Sequence, residues 1–212
     1  MVNLLILGGT GLVGQQLIHQ ALDDASIARV IAPTRRPLAE HAKLTNPIVD
    51  FDALPSDAAW WAADAVICAL GTTMRQAGSR AAFNKVDHDY VLAAARQARY
   101  AGTPVFVLNS SAGANPSSRS YYLRVKGNIE RDLALLNFAS LTLVRPSLLI
   151  GGPRPERRIA EEIGIRLMSV LAPLIPARYR GVSTADVAAC ILAAARQAGI
   201  GVNIIESEAI RR

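Results

Sequence analysis

Val2-Asn3-Leu4-Leu5-Ile6-Leu7-Gly8-Gly9-Thr10-Gly11-Leu12-Val13-Gly14 is the stretch that decides the fold. A short, mostly apolar run enters a cluster of glycines, and an amphipathic stretch follows at once. Leu17, Ile18, Ala21, Leu22 and Ala25 recur at the helical period. That predicts a strand over Val2–Leu7 and a helix over Gly11–Ala25. The glycines fit G-x-G-x-x-G through Gly9, Gly11 and Gly14, and G-x-x-G-x-x-G through Gly8, Gly11 and Gly14. Glycines at such a turn let backbone approach a pyrophosphate, whose charge is favoured by the free N–H groups and dipole of a helix N-terminus. A strand before and a helix after set this pattern apart from an ordinary glycine turn.

Outward from that stretch the same alternation continues. Further strands are expected at Ala28–Ala32, Ile48–Val49, Ala65–Leu70, Val105–Asn109, Ser140–Arg145 and Val202–Glu206. Helices are expected at Ala81–Ala101, Ser117–Phe138 and Ser183–Gln197. Strands alternating with helices of these lengths predict βαβ units and an α/β fold with a doubly wound parallel sheet. The strands are near-continuous apolar runs, as needed when both faces are covered. A length of 212 residues fits one domain over the whole chain.

The segment 148–181 differs in character. It holds Pro153, Pro155, Pro173 and Pro176 around a predicted helix, Glu156–Leu171. It follows the sixth strand, so it is expected to cover the substrate as a small C-terminal segment. Its apolar residues Leu148, Leu149, Ile150, Ile163, Leu167, Met168 and Leu171 would form walls. Arg154, Arg157, Arg158, Arg166, Arg178 and Arg180 would form a basic rim, suited to a carbonyl compound bearing an acidic group.

Composition excludes several classes. Two cysteines, Cys68 and Cys190, each alone in an apolar run, exclude a disulfide scaffold and a multi-cysteine zinc site. Cys68 reads as a buried small apolar residue. His19, His41 and His88 lack ligand spacing, so they are expected at the surface and no metal is expected. The net charge is +6, with 23 basic residues of which only Lys43, Lys85 and Lys126 are lysines. That balance favours an anionic partner. The arginines are scattered without interleaved aromatics, which argues for a small molecule and against nucleic acid. No run reaches the roughly 18 apolar residues of a membrane helix. The N-terminus has no basic n-region, so a soluble, cytoplasmic protein is expected.

Candidate site residues follow from the topology. A dinucleotide's 2′ position is read at the end of strand two, about 20 residues beyond the glycines. The chain there reads Thr34-Arg35-Arg36-Pro37, with no acid before Glu40. A guanidinium fork suits a phosphate, which favours NADPH over NADH. Tyr122 and Lys126 stand at i and i+4 on one helix face. A free phenol titrates near about pH 10, and a nearby ammonium stabilises the phenolate, as an acid–base catalyst needs. Lys126 can also donate to a ribose hydroxyl. Tyr121 is one residue out of phase and reads as packing. Strand five ends Asn109-Ser110-Ser111, where a serine hydroxyl can hold a substrate oxygen. Ser111 is preferred over Ser110. Strand four ends Leu70-Gly71-Thr72-Thr73 and is expected to run beside the cofactor. The expected cofactor contacts are Gly8, Thr10, Gly11, Leu12, Val13, Gly14, Arg35, Arg36, Leu70, Gly71 and Lys126.

With these residues in place, the chain resembles the atypical group of the short-chain dehydrogenase/reductase superfamily. The marks are Gly8-x-x-Gly11-x-x-Gly14, Ser111, Tyr122-x-x-x-Lys126, Arg145-Pro146 and Ser183-Thr184-Ala185-Asp186-Val187-Ala188. It resembles more narrowly the Tat-interacting-protein-like branch. The signatures there are Leu70-Gly71-Thr72-Thr73, Val86-Asp87-His88-Asp89-Tyr90-Val91-Leu92, Asn109-Ser110-Ser111-Ala112-Gly113-Ala114, Val125-Lys126-Gly127 and Ile205-Glu206-Ser207-Glu208-Ala209-Ile210. The resemblance implies a Rossmann fold, NADP(H) and a Ser111/Tyr122/Lys126 centre. It implies an NADPH-dependent oxidoreductase acting on a carbonyl or alcohol, the alternative being a non-catalytic NADP(H) sensor. The superfamily often has a fourth catalytic residue, an Asn. Asn84 and Asp87 both fit its place, and the sequence assigns the role to neither.

Overall fold

The strand of the glycine stretch becomes the third of a seven-stranded sheet, next to its middle strand. The computed structural model describes residues 1–150 and 180–210. The strands are β1 (Val2–Leu7), β2 (Ile27–Ile31), β3 (Leu44–Thr45), β4 (Ala65–Cys68), β5 (Val105–Asn109), β6 (Ser140–Arg145) and, last in the chain, β9 (Gly201–Glu206). Their order is β3-β2-β1-β4-β5-β6-β9, and every neighbouring pair is parallel. The chain winds outward from β1 to β3, returns to β4 and winds the other way. The switch point lies between β1 and β4, where ligands bind outside the carboxyl ends of the strands.

Alternation along the strands sorts the core into two layers. Leu4 and Ile6 of β1 join Leu17, Ile18 and Ala21 of α1 (Leu12–Asp23) and Val187, Ala188 and Ile191 of α6 (Thr184–Gln197). Leu5 and Leu7 face the other way, with Val91, Ala94 and Ala98 of α4 (Tyr90–Tyr100) and Ile129 and Leu133 of α5 (Tyr121–Ala134). Each fully buried Leu or Ile contributes roughly 1.5–3 kcal/mol. The doubly wound Rossmann-like fold expected from the sequence is therefore the one formed.

Several elements differ from expectation. The third strand is Leu44–Thr45, not Ile48–Val49. Leu44 and Thr45 pair with Val30 and Ile31, while Ile48 makes a single bridge to Thr34 and stays exposed. The long helix expected over Ala81–Ala101 is three pieces in sequence: α3 (Arg80–Asn84), a π turn (Lys85–Asp89) and α4. A four-residue helix, α2 (Met74–Ala77), precedes them. Helix α5 starts at Tyr121 and not at Ser117. Asn115 Oδ1 accepts from the Ser117 N–H at 2.8 Å, which holds the preceding residues in a turn. Ser183 caps α6 by accepting from the Asp186 N–H at 3.0 Å.

A second, two-stranded parallel ladder joins β7 (Leu149–Ile150) to β8 (Val182–Ser183). It brings together the two ends of the segment expected to cover the substrate. The rest of that segment, with the expected helix Glu156–Leu171 and Arg154, Arg157, Arg158, Arg166 and Arg178, lies outside the described residues. A short helix, α7 (Ser207–Ile210), follows β9. Among the described residues no helix is long and apolar enough to cross a membrane.

Candidate cofactor and acid–base site

The glycine turn is shaped by close approach. Gly8 has φ +85, and a Cβ on it would lie 2.5 Å from the backbone of Ala69, beyond β4. A Cβ on Gly14 would lie 2.0 Å from the Gly8 carbonyl oxygen. A side chain at Gly8 would push the turn off the residues after β4, and one at Gly14 would push α1 off the turn. Gly11 is the N-cap of α1, without a capping side chain, and its N–H donates to the Gly8 carbonyl at 3.0 Å. The first-turn N–H groups of α1, from Leu12, Val13 and Gly14, have no acceptor within the helix. Val13 is in the core, so only its backbone can reach a ligand. The Gln15 side-chain amide donates to the Thr10 carbonyl at 3.0 Å and fixes the outer lip of the turn. This backbone cradle fits a dinucleotide's pyrophosphate.

Arg35 and Arg36 stand exposed just beyond β2. Their loop is tied by Asn46, a residue that sequence reasoning missed. The Asn46 amide donates to the Ala32 carbonyl at 2.5 Å and to Thr34 Oγ1 at 2.8 Å, and its oxygen accepts from the Leu38 N–H at 2.8 Å. Thr34 Oγ1 in turn donates to the Arg36 carbonyl at 2.6 Å. A lone Asn between two loops carries no sequence signal. Its role appears only once β3 lies beside β2.

Tyr122 and Lys126 stand one turn apart on α5, as their spacing requires. Lys126 Nζ lies 2.7 Å from Asp87 Oδ1, with the Asp87 side chain only 1% exposed. Asp87 Oδ2 accepts from the Thr72 N–H at 2.8 Å. Asp87 thus ties the π turn both to α5 and to the loop after β4. Burial works against the Lys126 charge, but the Asp87 carboxylate, followed by Tyr122, outweighs it and holds the ammonium above its ordinary value. Gly71 borders the pair: a Cβ there would be 3.3 Å from Asp87 Oδ1 and 3.7 Å from Lys126 Nζ. Asn84 is turned elsewhere and donates to Asp89 Oδ1 at 3.1 Å. Of the two residues the sequence left open, Asp87 is the one brought to Lys126. The Tyr122 ring packs 5.6 Å from the buried Phe83 ring of α3.

The two serines after β5 separate cleanly. Ser110 Oγ donates to Glu130 Oε1 at 2.5 Å. Glu130 also takes Arg145 through two contacts, Nε at 3.0 Å and Nη2 at 2.6 Å, and Arg145 Nη1 reaches Glu206 at 2.9 Å. Ser110 therefore belongs to a network that staples β5, α5, β6 and β9 together. Ser111 Oγ makes only a long 3.4 Å contact to the Ala112 carbonyl. The Ala112 N–H donates to the Pro146 carbonyl at 2.9 Å, which holds the Ser111 backbone at the sheet's carboxyl edge.

Other candidates fall away. Cys68 is fully buried, and burial pushes its thiol up to about 12. His19 sits exposed beside Asp23. His88 departs from the surface placement expected of it: it is half-buried, with Nδ1 2.8 Å from Asp89 and Nε2 2.9 Å from Asp132. It joins the π turn to α5. Among the described residues no group of three or more His, Cys, Asp or Glu is arranged to hold a metal.

Comparison with known proteins bears on the family and the fold. A family described as NAD(P)H-binding matches residues 8–198. The chain is 39% identical over 171 residues to "Protein fmp52, mitochondrial" of Aspergillus fumigatus, covering 76% of this chain and 72% of that protein. It is 33% identical over 168 residues to "Protein FMP52, mitochondrial" of Candida albicans, covering 75% and 70%. Among solved structures it is similar to MoeE5 in complex with UDP-glucuronic acid and NAD, with a TM-score of 0.73 and 17% identity over 95% of this chain and 75% of that one. It is also similar to a UDP-N-acetylglucosamine 4-epimerase from Methanobrevibacter ruminantium, with a TM-score of 0.69 and 15% identity over 97% and 76%. At these identities the structures speak for the fold. The mitochondrial names of the relatives overturn the cytoplasmic expectation. That expectation rested on an N-terminus that lacks a basic n-region; the strand read there is formed, with Leu4 to Leu7 buried in the sheet.

Proposed function

This chain belongs to the NAD(P)H-binding family, and from that premise we propose that it is an NADPH-dependent oxidoreductase of the short-chain dehydrogenase/reductase type, acting on a small carbonyl or alcohol. The observation that carries the proposal is the buried Lys126–Asp87 pair one turn below Tyr122, with the Ser111 hydroxyl uncommitted after β5. The narrower resemblance to the Tat-interacting-protein-like branch belongs to the same proposal.

The cofactor, when bound, supplies the hydride. The chain's own residues do the rest. The backbone of Gly8 to Gly14 receives the pyrophosphate, and Leu70 and Gly71 line its path. Arg35 and Arg36, on the loop that Asn46 ties down, grip the 2′-phosphate. Lys126 donates to a ribose hydroxyl while Asp87 keeps its ammonium charged and in place. Ser111 donates to the substrate oxygen, and the Tyr122 hydroxyl gives that oxygen its proton in reduction and takes it back in oxidation. A sensor has no use for a proton carrier over a buried ammonium, which disfavours the alternative reading.

Tyr122→Phe tests this reading. NADPH affinity by fluorescence titration is expected to stay within about twofold of wild type. NADPH oxidation with any aldehyde or ketone that the wild type reduces is expected to fall at least about 100-fold, the scale of a lost general acid. A variant with full turnover moves the proton transfer elsewhere and favours the sensor.

A further inference from the structure

Tyr121, which the helical spacing assigns to packing, has a second role available to it. Its ring stands between two guanidinium groups, with Arg80 Cζ 5.2 Å and Arg124 Cζ 5.6 Å from the ring centroid. The Tyr121 hydroxyl donates to the Arg80 carbonyl at 2.8 Å, which ties the start of α5 to the start of α3. Arg124 Nη1 donates to the Ser118 carbonyl at 2.7 Å, so that guanidinium is oriented. Among the described residues no carboxylate is ion-paired with Arg80 or Arg124. Two cations share one ring with no described carboxylate between them. The ring quadrupole attracts each of them weakly. Their mutual repulsion is left for an anion to relieve.

The position of this cluster gives it meaning. In a parallel α/β sheet the helices begin at the carboxyl ends of the strands, which is the ligand-binding edge. Arg80 opens α3 and Tyr121 opens α5. The next residue is Tyr122, and both tyrosine rings pack on Phe83, at 6.1 and 5.6 Å. An anion held by the two forks therefore lies at the start of α5, at the same edge of the sheet as the tyrosine assigned to proton transfer. We infer that Arg80 and Arg124, set against the Tyr121 ring, form the binding site for an anionic group of the substrate, a carboxylate or phosphate carried on the carbonyl compound. The inference rests on the oxidoreductase reading of Tyr122 for its location.

Binding to NADP⁺-loaded protein tests it without turnover. The probes are 4-carboxybenzaldehyde, 4-formylphenyl phosphate and methyl 4-formylbenzoate, followed by calorimetry. At least one of the two anionic aldehydes is expected to bind about tenfold or more tightly than the neutral ester, as charge-assisted contacts allow. Which anion binds better distinguishes carboxylate from phosphate. In Arg80→Gln/Arg124→Gln the preference is expected to shrink to within about threefold, with NADPH affinity unchanged; Arg80→Lys/Arg124→Lys, which keeps the charge and loses the forks, is expected to fall between. Equal binding of the three probes, no binding of any, or a preference that survives in the Gln variant overturns the proposal. Loss of NADPH affinity in the Gln variant also overturns it, because the arginines then belong to the cofactor. A charge preference that depends on the arginines, in a protein that oxidises NADPH with no aldehyde, removes the oxidoreductase reading and leaves the anion site standing.

Discussion

At the scale of single residues the site turns on Asp87 and Lys126, a carboxylate and an ammonium removed from water together. Such a pair gives little net stability, but removing one partner strands the other charge. Lys126→Met is expected to cost about 3–5 kcal/mol in urea unfolding at neutral pH. Asp87→Leu combined with Lys126→Met is expected to cost clearly less than the two single changes added, because the stranded charge is gone. The pH dependence has a definite sign. The folded ammonium titrates above its ordinary 10.5, so its contribution is complete below that value and disappears as pH rises through the higher folded value. The alkaline fall in wild-type stability above pH 10.5 is expected to be shallower in Lys126→Met. Tyr122 and Lys126 were legible in the sequence because i and i+4 share a helix face. Asp87 was not separable from Asn84, because a π turn between α3 and α4 decides which side chain faces α5. A one-residue change of helical register leaves no mark on apolar periodicity.

Elements were legible in proportion to how much their own residues determine them. Val2–Leu7, Val105–Asn109 and Ser140–Arg145 match the reading to the residue, because a buried parallel strand needs a near-continuous apolar run. The edge strand β3 was misread at Ile48–Val49, because its position is set by pairing with Val30 and Ile31 and not by its own composition. The start of α6 was also legible: expected from Ser183, the helix runs from Thr184 with Ser183 as its cap. Ser183→Ala is expected to cost about 1 kcal/mol, read as a lower thermal midpoint with unchanged NADPH affinity. The π turn is fastened to α5 through His88 and Asp132. Burial raises the Asp132 carboxyl, but the hydrogen bonds from His88 and then Arg131 outweigh it and hold it below its ordinary 3.8. Its contribution is therefore present above that value and lost as pH falls through the lower folded one. Asp132→Asn is expected to make the acid limb of stability below about pH 4 shallower, as followed by circular dichroism.

For the whole molecule, one sheet between two helical layers brings the carboxyl ends of β1, β2, β4 and β5 to a single crevice. The glycine turn and the Arg35–Arg36 loop follow β1 and β2 at that edge, and the loop after β4 is bound to the buried Asp87–Lys126 pair, so a cofactor held there is expected to stabilise the fold as a whole. NADPH at 100 times its Kd is expected to stabilise the fold by about 2.7 kcal/mol. For a chain of this size that is a rise of roughly 5–10 °C in the thermal midpoint, measurable by calorimetry. The central claim is that this crevice takes NADPH with its 2′-phosphate on Arg35 and Arg36. Its most direct test is a paired fluorescence titration with NADPH and NADH, on wild type and on Arg35→Gln/Arg36→Gln. NADPH is expected to bind wild type about 10- to 100-fold more tightly than NADH, and the double variant is expected to bind the two alike. Equal affinities in the wild type, or a preference that survives in the variant, would contradict the claim.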